Sequence, residues 1–249
     1  MDIKNIPEHE LARLREKAKE LAGSSTEYQK EYSSLLTRRV NHEPLQYIEE
    51  YVPFYSISLK VDQRCLIPRP ETEFLIEIIK ENVSSPKKII DVGTGSGCIA
   101  LMMKAIFPES QVTGIDISED AIELAKENAI LNSLDVTFFQ SNLLDNIGTS
   151  DQDLIIANLP YIPTENLNEL DKEVIDYEPL NALNGGIDGL EIISKLIKEI
   201  EDKGYKNLNL FLEIDSRKSS QTLELLNEWD EVKLLQDLAE KDRYVFAKR

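Results

Sequence analysis

The sequence has few of the residue types that bind metals or form disulfides. Its 249 residues include two cysteines, Cys65 and Cys98, and two histidines, His9 and His42. This number gives no disulfide framework and no metal-ligand motif, so we predict no metal site. No apolar run approaches the roughly 18 residues of a membrane span, and residues 1–8 do not resemble a signal peptide. We therefore expect a cytoplasmic protein with no membrane partner.

Basic residues are also scarce relative to acidic ones. The chain carries 28 lysines and arginines against 46 aspartates and glutamates, which gives a net charge of −18. Binding through nucleic-acid phosphates needs a basic face, so this balance disfavours a nucleic-acid substrate without excluding a local patch. The expected partner is a protein or a small molecule. The length suits one large α/β domain, alone or with a small appendage.

The most informative stretch is 89–97, Ile-Ile-Asp-Val-Gly-Thr-Gly-Ser-Gly. A strand-like apolar run leads into Gly93, Gly95 and Gly97, and a helical pattern follows from Cys98. Glycine permits positive φ and leaves room for a ligand against the backbone, so this stretch predicts a cofactor loop. The dinucleotide fingerprint requires glycine at the sixth position, where this chain has Cys98, so that spacing fails.

The order D-x-G-x-G-x-G resembles motif I of the class I S-adenosylmethionine-dependent methyltransferases. That cofactor has no phosphate and carries a sulfonium and an amino-acid end, which suit a nearby carboxylate such as Asp91. A second acid, Asp116, ends the next predicted strand and is expected to accept hydrogen bonds from ribose hydroxyls. The alternative is a tight glycine turn in an α/β protein with surface acids. The predicted cofactor is S-adenosylmethionine, with S-adenosylhomocysteine as product.

After this loop, strand and helix patterns alternate, which is typical of a parallel doubly wound sheet. Strands are predicted at 89–92, 112–116, 136–139, 153–158, 208–214, 231–235 and 243–248, and helices near 98–107, 118–131, 189–203 and 217–228. The loop between the last two strands is too short for a helical crossover, so the last strand is expected to be antiparallel. We predict an α/β fold with a seven-stranded, Rossmann-like methyltransferase sheet.

Before the sheet, the sequence predicts two amphipathic helices, at 7–21 and 28–40, and a β-hairpin with its turn near 62–64. The helices form either a cap or a substrate-docking surface. The hairpin ends at 68–73, which is either a rigid linker or a segment beside the cofactor loop, and a helix from Thr72 to about Asn82 begins there. The predicted domains are a helical domain, a hairpin linker and a methyltransferase domain, at 1–50, 51–70 and 71–249.

Ligands of open α/β sheets bind beyond the carboxyl ends of the strands. The third predicted strand is followed by Asn142 and Leu143, which are expected to contact an adenine edge and face. An ordinary polar strand end is the alternative there.

The fourth strand ends in Asn158-Leu159-Pro160-Tyr161. The Asn158 side-chain oxygen and the Leu159 carbonyl are two acceptors for the N–H bonds of a planar NH₂ group. Holding both bonds aims the nitrogen lone pair at the methyl carbon and stabilises the positive charge that develops. Tyr161 is expected to pack against the planar group. The alternative is a turn that merely ends the strand.

This tetrapeptide resembles the [N/D]-P-P-[Y/F/W] motif of methyltransferases that act on planar nitrogen. Other segments resemble the peptide chain release factor N5-glutamine methyltransferases, and they lie at 44–48, 54–55, 66–73, 91–101, 178–183 and 185–190. The resemblance extends from about residue 44 to the end. Its most specific parts are 68–73, Pro-Arg-Pro-Glu-Thr-Glu, and 178–190.

The resemblance implies transfer of methyl to the side-chain amide nitrogen (N5) of the glutamine in the Gly-Gly-Gln loop of class I release factors, which modulates translation termination. It implies a catalytic turn at Asn158, Leu159, Pro160 and Tyr161. The cofactor contacts that we predict are Asp91, Gly93, Thr94, Gly95, Ser96, Gly97, Asp116, Asn142, Leu143 and Asn158.

The chain departs from the family pattern at three places. Leu159 replaces the first proline, so its φ is not locked by a ring. Asn142 stands where an acid is common, and the N-terminal helical domain is shorter than usual.

Three rival functions remain open. Ribosomal RNA adenine N6-dimethyltransferases also carry Asn-Leu-Pro-Tyr, and a ribosomal-protein glutamine methyltransferase is a closer rival. A non-catalytic subunit that binds the cofactor is the third, although it would be expected to have lost the tetrapeptide. The acidic charge and the flanking segments favour protein glutamine.

Overall fold

The computed structural model describes residues 6–149 and 151–249. The predictions that fall on residues 1–5, including most of the segment judged not to be a signal peptide, lie outside the described residues. The helices are α1 (Glu8–Leu21), α2 (Ser25–Val40), α3 (Leu45–Glu49), α4 (Pro70–Asn82), α5 (Cys98–Ile106), α6 (Glu119–Asn132), α7 (Lys172–Ile175), α8 (Glu191–Lys203) and α9 (Ser219–Leu225). The strands are β1 (Tyr51–Phe54), β2 (Ile57–Lys60), β3 (Lys88–Val92), β4 (Gln111–Asp116), β5 (Thr137–Gln140), β6 (Leu154–Ala157), β7 (Asn209–Glu213), β8 (Glu231–Gln236) and β9 (Asp242–Lys248).

Seven strands of the described chain form one sheet in the order β5-β4-β3-β6-β7-β9-β8. Neighbouring strands from β5 to β7 are parallel, and β9 runs antiparallel to both β7 and β8. The predicted sheet with its reversed last strand is therefore confirmed. Because β3 and β6 lie side by side near the middle, their carboxyl ends meet at the centre of one sheet edge.

The central strands are largely apolar because helices cover both faces of the sheet. Along β3, Ile89 packs into the layer that contains α4 and α5, whereas Ile90 packs into the layer that contains α8. Residues of β6 alternate in the same way, with Ile156 in the first layer and Ile155 in the second. Two cores thus hold the strands in register and keep their carboxyl ends in place.

The predicted turn of the hairpin is wrong. The strands β1 and β2 pair through Phe54 and Ile57, so the turn lies at 55–56, where Tyr55 has a φ of 53°. The alternation of apolar residues continues past β2 to Val61, and this continuation hid the turn. At 62–64 the chain instead forms a tight turn in which the Arg64 amide donates to the Asp62 carboxylate at 3.0 Å.

Helix α3 was not predicted, because five residues are too few to show helical periodicity. Helix α4 begins at Pro70 rather than Thr72. Proline suits the first position of a helix, because the N–H that it lacks would have no partner within the helix there.

The N-terminal helices share a separate apolar cluster, which is formed by Leu11, Leu14, Ala18, Leu35, Leu36, Leu45 and Ile48. Polar contacts join this unit to the segment after β6. Arg39 pairs with Glu10 of α1 and with Glu173 of α7, both at 2.6 Å, and the Tyr177 hydroxyl donates to the Asn41 carbonyl at 2.8 Å. The domain boundaries stay a prediction. No helix among the described residues is both long and apolar enough to cross a membrane.

Candidate active site

A cavity of about 470 Å³ opens at the carboxyl ends of β3, β4, β5 and β6. Most of the predicted site residues line it, namely Gly93, Thr94, Gly95, Ser96, Asp116, Asn142, Leu143, Asn158, Leu159 and Pro160. A second cavity of about 170 Å³ adjoins it and shares Asn158, Leu159 and Pro160 with it, and Tyr161 lines this smaller cavity. The tetrapeptide therefore lies between two adjoining spaces.

The glycine loop has the backbone conformation expected from the sequence. Gly93, Gly95 and Gly97 have φ values of 74°, 53° and 83°, all in the left-handed region. The amides of Gly93 and Thr94 both donate to the Ile115 carbonyl at 2.9 Å, which folds the loop against the end of β4. The loop thus presents bare backbone to the larger cavity.

Asp91 is fully buried beneath this loop and is not among the residues that line either cavity. Its Oδ2 accepts the Thr94 hydroxyl at 2.6 Å and the Ala100 amide at 3.1 Å, whereas its Oδ1 has no hydrogen-bond partner among the described residues. Burial raises the pKa of Asp91 to about 7, against the lowering effect of these two bonds. Asp91 therefore holds the loop to the start of α5, and its predicted contact with the cofactor stays a prediction.

Asp116 ends β4 at the rim of the larger cavity. Its Oδ2 accepts the Gly95 amide and its Oδ1 accepts the Ser118 amide, each at 2.9 Å. Burial raises the pKa of Asp116, and the backbone bonds oppose that effect. A carboxylate oxygen can accept more than one hydrogen bond, so Asp116 retains capacity for ligand hydroxyls while its position is held from both sides.

The segment after β5 reaches the same cavity. Leu143 is buried and has a φ of 48°, and its carbonyl accepts the Ser141 hydroxyl at 2.8 Å. Asn142 is exposed at the tip of this turn. The turn thus presents an apolar side chain and an amide side by side, and their contact with adenine stays a prediction.

At the end of β6, Asn158 Nδ2 donates to the Thr72 hydroxyl oxygen at 3.1 Å, and that hydroxyl donates to Glu213 at 2.9 Å. Glu213 ends the neighbouring strand β7, which pairs with β6. Thr72 lies in the first turn of α4. Helix α4 and strand β7 therefore hold the side chain of Asn158 in place.

Leu159 is buried, and its side chain packs directly beneath Gly93. A Cβ at Gly93 would lie only 2.9 Å from Leu159 Cδ2. Leucine lacks the ring that locks φ in proline. Burial against the glycine loop restrains this position instead.

The segment 183–189 packs on the tetrapeptide from the other side. The Ile162 amide donates to the Leu183 carbonyl, and the Gly185 amide donates to the Ile162 carbonyl. A Cβ at Gly185 would lie 2.7 Å from the Pro160 carbonyl oxygen, and one at Gly189 would lie 2.3 Å from that of Tyr161. The glycines of this segment are needed because backbone approaches backbone here.

The segment that precedes α4 lies beside the glycine loop. Residues Arg64, Cys65, Leu66, Pro68 and Arg69 line the larger cavity. Asn128 of α6 secures the nearby hairpin, because its side chain bonds the Lys60 amide at 2.7 Å and the Ser96 carbonyl at 2.9 Å. Of the two sequence interpretations, the structure therefore supports a segment beside the cofactor loop.

Both cysteines are free and buried at the cavity wall. Burial raises the pKa of Cys98 to about 12 and raises that of Cys65 as well, which disfavours the reactive thiolate. No group of three or more His, Cys, Asp or Glu side chains in the described parts of the chain could hold a metal ion.

Thr72 and Glu213 were not predicted as site residues. Thr72 lies within the segment 68–73, whose resemblance was the available signal. For Glu213 the only signal in the sequence was an acidic residue at the end of an apolar strand.

The fold and cavity define an α/β methyltransferase, and the comparisons agree. Residues 70–176 match the methyltransferase small domain. A methyltransferase of Pyrococcus furiosus has the same fold, with a TM-score of 0.58 at 20% identity over 87% of this chain and 98% of that one.

Sequence relatives are more specific. The release factor glutamine methyltransferase of Thermodesulfovibrio yellowstonii is 39% identical over 87% of this chain and 80% of its own length. That of Lactococcus lactis subsp. lactis is 40% identical over 83% of this chain and 78% of its own length. The chain belongs to the release factor glutamine methyltransferase family, and the family resemblance predicted from the sequence is confirmed.

Proposed function

We propose that this enzyme transfers the methyl group of S-adenosylmethionine to the side-chain amide nitrogen (N5) of the glutamine in the Gly-Gly-Gln loop of a class I peptide chain release factor. The observation that supports this most directly is the position of Asn158 and Leu159 on the wall between two adjoining cavities. The choice of release factor as substrate is supported by the sequence relatives, which are named release factor glutamine methyltransferases.

The residues of the larger cavity fit S-adenosylmethionine. Its volume of about 470 Å³ lies within the range usual for small-molecule sites. Gly93 and Gly95 face it with backbone alone, and Asp116 offers carboxylate lone pairs for ribose hydroxyls. Leu143 and Asn142 supply an apolar surface and an amide for the adenine. When bound, S-adenosylmethionine supplies an electrophilic methyl group and leaves as S-adenosylhomocysteine.

The smaller cavity is assigned to the glutamine amide. An amide nitrogen is a poor nucleophile because its lone pair is delocalised into the carbonyl. Asn158 Oδ1 and the Leu159 carbonyl accept the two N–H bonds, which stabilises the positive charge that develops on nitrogen. Tyr161 lines this cavity beside Asn158 and forms its aromatic wall. No general base is assigned, and the proton lost from nitrogen passes to solvent.

The release factor is taken as a protein partner, with no direct nucleic-acid partner and no membrane, and the enzyme is placed in the cytoplasm. The net charge of −18 supports a protein acceptor over ribosomal RNA. The short N-terminal helices are retained as a candidate docking surface, because Arg39 and Tyr177 tie them to the segment that follows the tetrapeptide.

The test is transfer of labelled methyl from S-adenosylmethionine to purified release factor. Parallel acceptors are the same factor with Gln→Ala in its Gly-Gly-Gln loop, small-subunit ribosomal RNA and ribosomal proteins. We expect label on the wild-type factor alone, at the glutamine when the peptide is mapped. Label on RNA, or on a ribosomal protein, would replace the proposed function with the corresponding rival.

A further inference from the structure

The side chains of Asn158, Thr72 and Glu213 form one line of hydrogen bonds behind the acceptor turn. Asn158 Nδ2 donates to Thr72 Oγ1 at 3.1 Å, and Thr72 Oγ1 donates to Glu213 Oε2 at 2.9 Å. Thr72 and Glu213 are both 2% exposed, so solvent does not compete for the bond between them, whereas the bond from Asn158 is partly buried. None of the hydrogen bonds among the described residues uses Asn158 Oδ1.

The polarity of this line follows from the number of protons. A threonine hydroxyl has one proton to donate, and a carboxylate can only accept. Because the Thr72 proton goes to Glu213, the Thr72 oxygen can offer Asn158 only a lone pair. Asn158 must then turn its NH₂ group toward Thr72, which leaves Oδ1 for the cavity.

We propose that Thr72 and Glu213 are positioning residues, which hold the Asn158 amide with its oxygen toward the substrate nitrogen. This inference rests on the proposed function, because the orientation matters only if Oδ1 accepts a substrate N–H bond. The reversed amide would present NH₂ to a substrate NH₂, so two donors would face each other and the nitrogen would lose one acceptor.

The carboxylate form of Glu213 is essential to this arrangement. Burial raises the pKa of Glu213 to about 7, against the Thr72 hydroxyl bond. The other titratable or charged groups that influence it come from α4, α5, β9 and the tetrapeptide, and they are Glu71, Cys98, Arg243, Tyr244 and Tyr161. Protonated Glu213 can donate to Thr72, which frees the Thr72 proton for Asn158 Oδ1 and reverses the amide.

The experiment compares Thr72→Val, Thr72→Ser and Glu213→Gln with wild type. For each, kcat and KM for purified release factor, the affinity for S-adenosylhomocysteine and the pH profile of kcat are measured. Thr222→Val is the matched control, because Thr222 is also a fully buried threonine whose hydroxyl bonds a neighbour, the Lys218 carbonyl at 3.0 Å.

We expect Thr72→Val to lower kcat about tenfold, which corresponds to the free energy of one hydrogen bond. The affinity for S-adenosylhomocysteine should be nearly unchanged. Thr72→Ser should restore most of kcat, and Thr222→Val should leave it unchanged. Wild-type kcat should fall as the pH drops through about 7. Glu213→Gln should lack that fall, because a glutamine amide does not titrate, and its kcat should lie below that of wild type, because the amide can donate to Thr72 as well as accept from it.

Two results would overturn the inference. One is a Thr72→Val enzyme with wild-type kcat. The other is a combination of two observations: Thr72→Val loses kcat and S-adenosylhomocysteine affinity equally, and the pH profile of kcat for Glu213→Gln still falls in acid as it does in wild type. That combination would mean that the two residues have a merely structural role. Failure of the wild-type enzyme to methylate release factor would instead remove the proposed function.

Discussion

Arg69 donates a hydrogen bond from its guanidinium group to the buried carboxylate of Glu178, which joins segments 109 residues apart. The second oxygen of Glu178 accepts the Ile67 amide at 3.1 Å. The two stretches with the most specific family resemblance, 68–73 and 178–190, are therefore bound to each other at one wall of the larger cavity.

Replacing Glu178 should loosen that wall. Glu178→Ala leaves a buried amide and a charged guanidinium without their acceptor, so we expect a loss of about 2 kcal/mol in the free energy of unfolding. Affinity for S-adenosylhomocysteine should fall too, because Arg69 and its neighbours Leu66 and Pro68 line the cavity. Urea unfolding and calorimetry measure the two quantities.

The control for Glu178→Ala is Glu231→Ala. Glu231 pairs with Lys233 and Lys248 at the protein surface, where ion pairs add little stability. Equal effects of the two substitutions would show that the Arg69–Glu178 contact does not hold the wall.

Asn158→Ala should separate catalysis from cofactor binding. It removes one of two acceptors for the substrate amide, so we expect kcat to fall by roughly 10²–10³-fold, by analogy with the loss of one oxyanion-hole donor. Affinity for S-adenosylmethionine should change little. Methyl-transfer kinetics and calorimetry provide the comparison, and parallel losses of rate and affinity would mean that Asn158 shapes the cofactor cavity instead.

Asp116→Ala should have the opposite signature. The variant loses the acceptor proposed for the ribose hydroxyls and the bond that holds Gly95, so S-adenosylmethionine should bind more than about tenfold more weakly. At saturating cofactor, kcat should be close to wild type. Asp120→Ala, the same change of charge at an exposed position, is the control. Unchanged affinity in Asp116→Ala would remove the residue from the cofactor site.

The parts of the site that could be predicted from sequence are those whose residue types and spacing indicate their role without knowledge of tertiary neighbours. Alternate glycines require left-handed backbone, and Gly93, Gly95 and Gly97 have it. The order of strands and helices predicted a shared edge for their carboxyl ends, and Asp116 and Asn158 meet there.

The remainder depends on tertiary neighbours. Asp91 has the motif position of a ligand-contacting acid, but the loop folds over it and leaves it buried. Thr72 and Glu213 are 141 residues apart, and no local pattern relates a helix start to a strand end. The hairpin turn at 55–56 was missed because an apolar alternation resumes directly after it, at Ile57, Leu59 and Val61.

Gly93 and Leu159 should be energetically coupled, because the glycine loop rests on the leucine side chain. Gly93→Ala adds a Cβ 2.9 Å from Leu159 Cδ2 at a φ of 74°, so it combines a clash with backbone strain. Leu159→Ala alone opens a cavity. In the double variant the clash is absent, so its loss of unfolding free energy should be smaller than the sum by about 1 kcal/mol or more.

The control for this cycle is Gly204→Ala. Gly204 has a φ of 65° and no atom within 4 Å of an added Cβ, so the substitution has the strain without the clash. Urea unfolding gives all the free energies. If the effects at positions 93 and 159 simply add, the loop and the acceptor turn are independent of each other.

Asp91 should make the stability of the protein depend on pH in an identifiable direction. Its pKa is raised from 3.8 to about 7 by burial, so between these values the folded protein binds more protons than the unfolded chain. The contribution of Asp91 to the free energy of unfolding is therefore largest in acid and falls as the pH rises toward 7. Asn cannot titrate, and its oxygen can still accept from Thr94 and Ala100.

The decisive quantity is the difference in unfolding free energy between wild type and Asp91→Asn, measured by urea unfolding between about pH 5 and pH 8. We expect wild type to lose stability relative to the variant as the pH rises. The unpaired NH₂ that asparagine leaves in place of Oδ1 adds a cost at every pH, so it shifts this difference without changing its slope. Asp120→Asn, at an exposed position, should give a constant difference. A constant difference for Asp91→Asn as well would mean that the buried carboxylate remains ionised across this range, and that its bonds to Thr94 and Ala100 outweigh its burial.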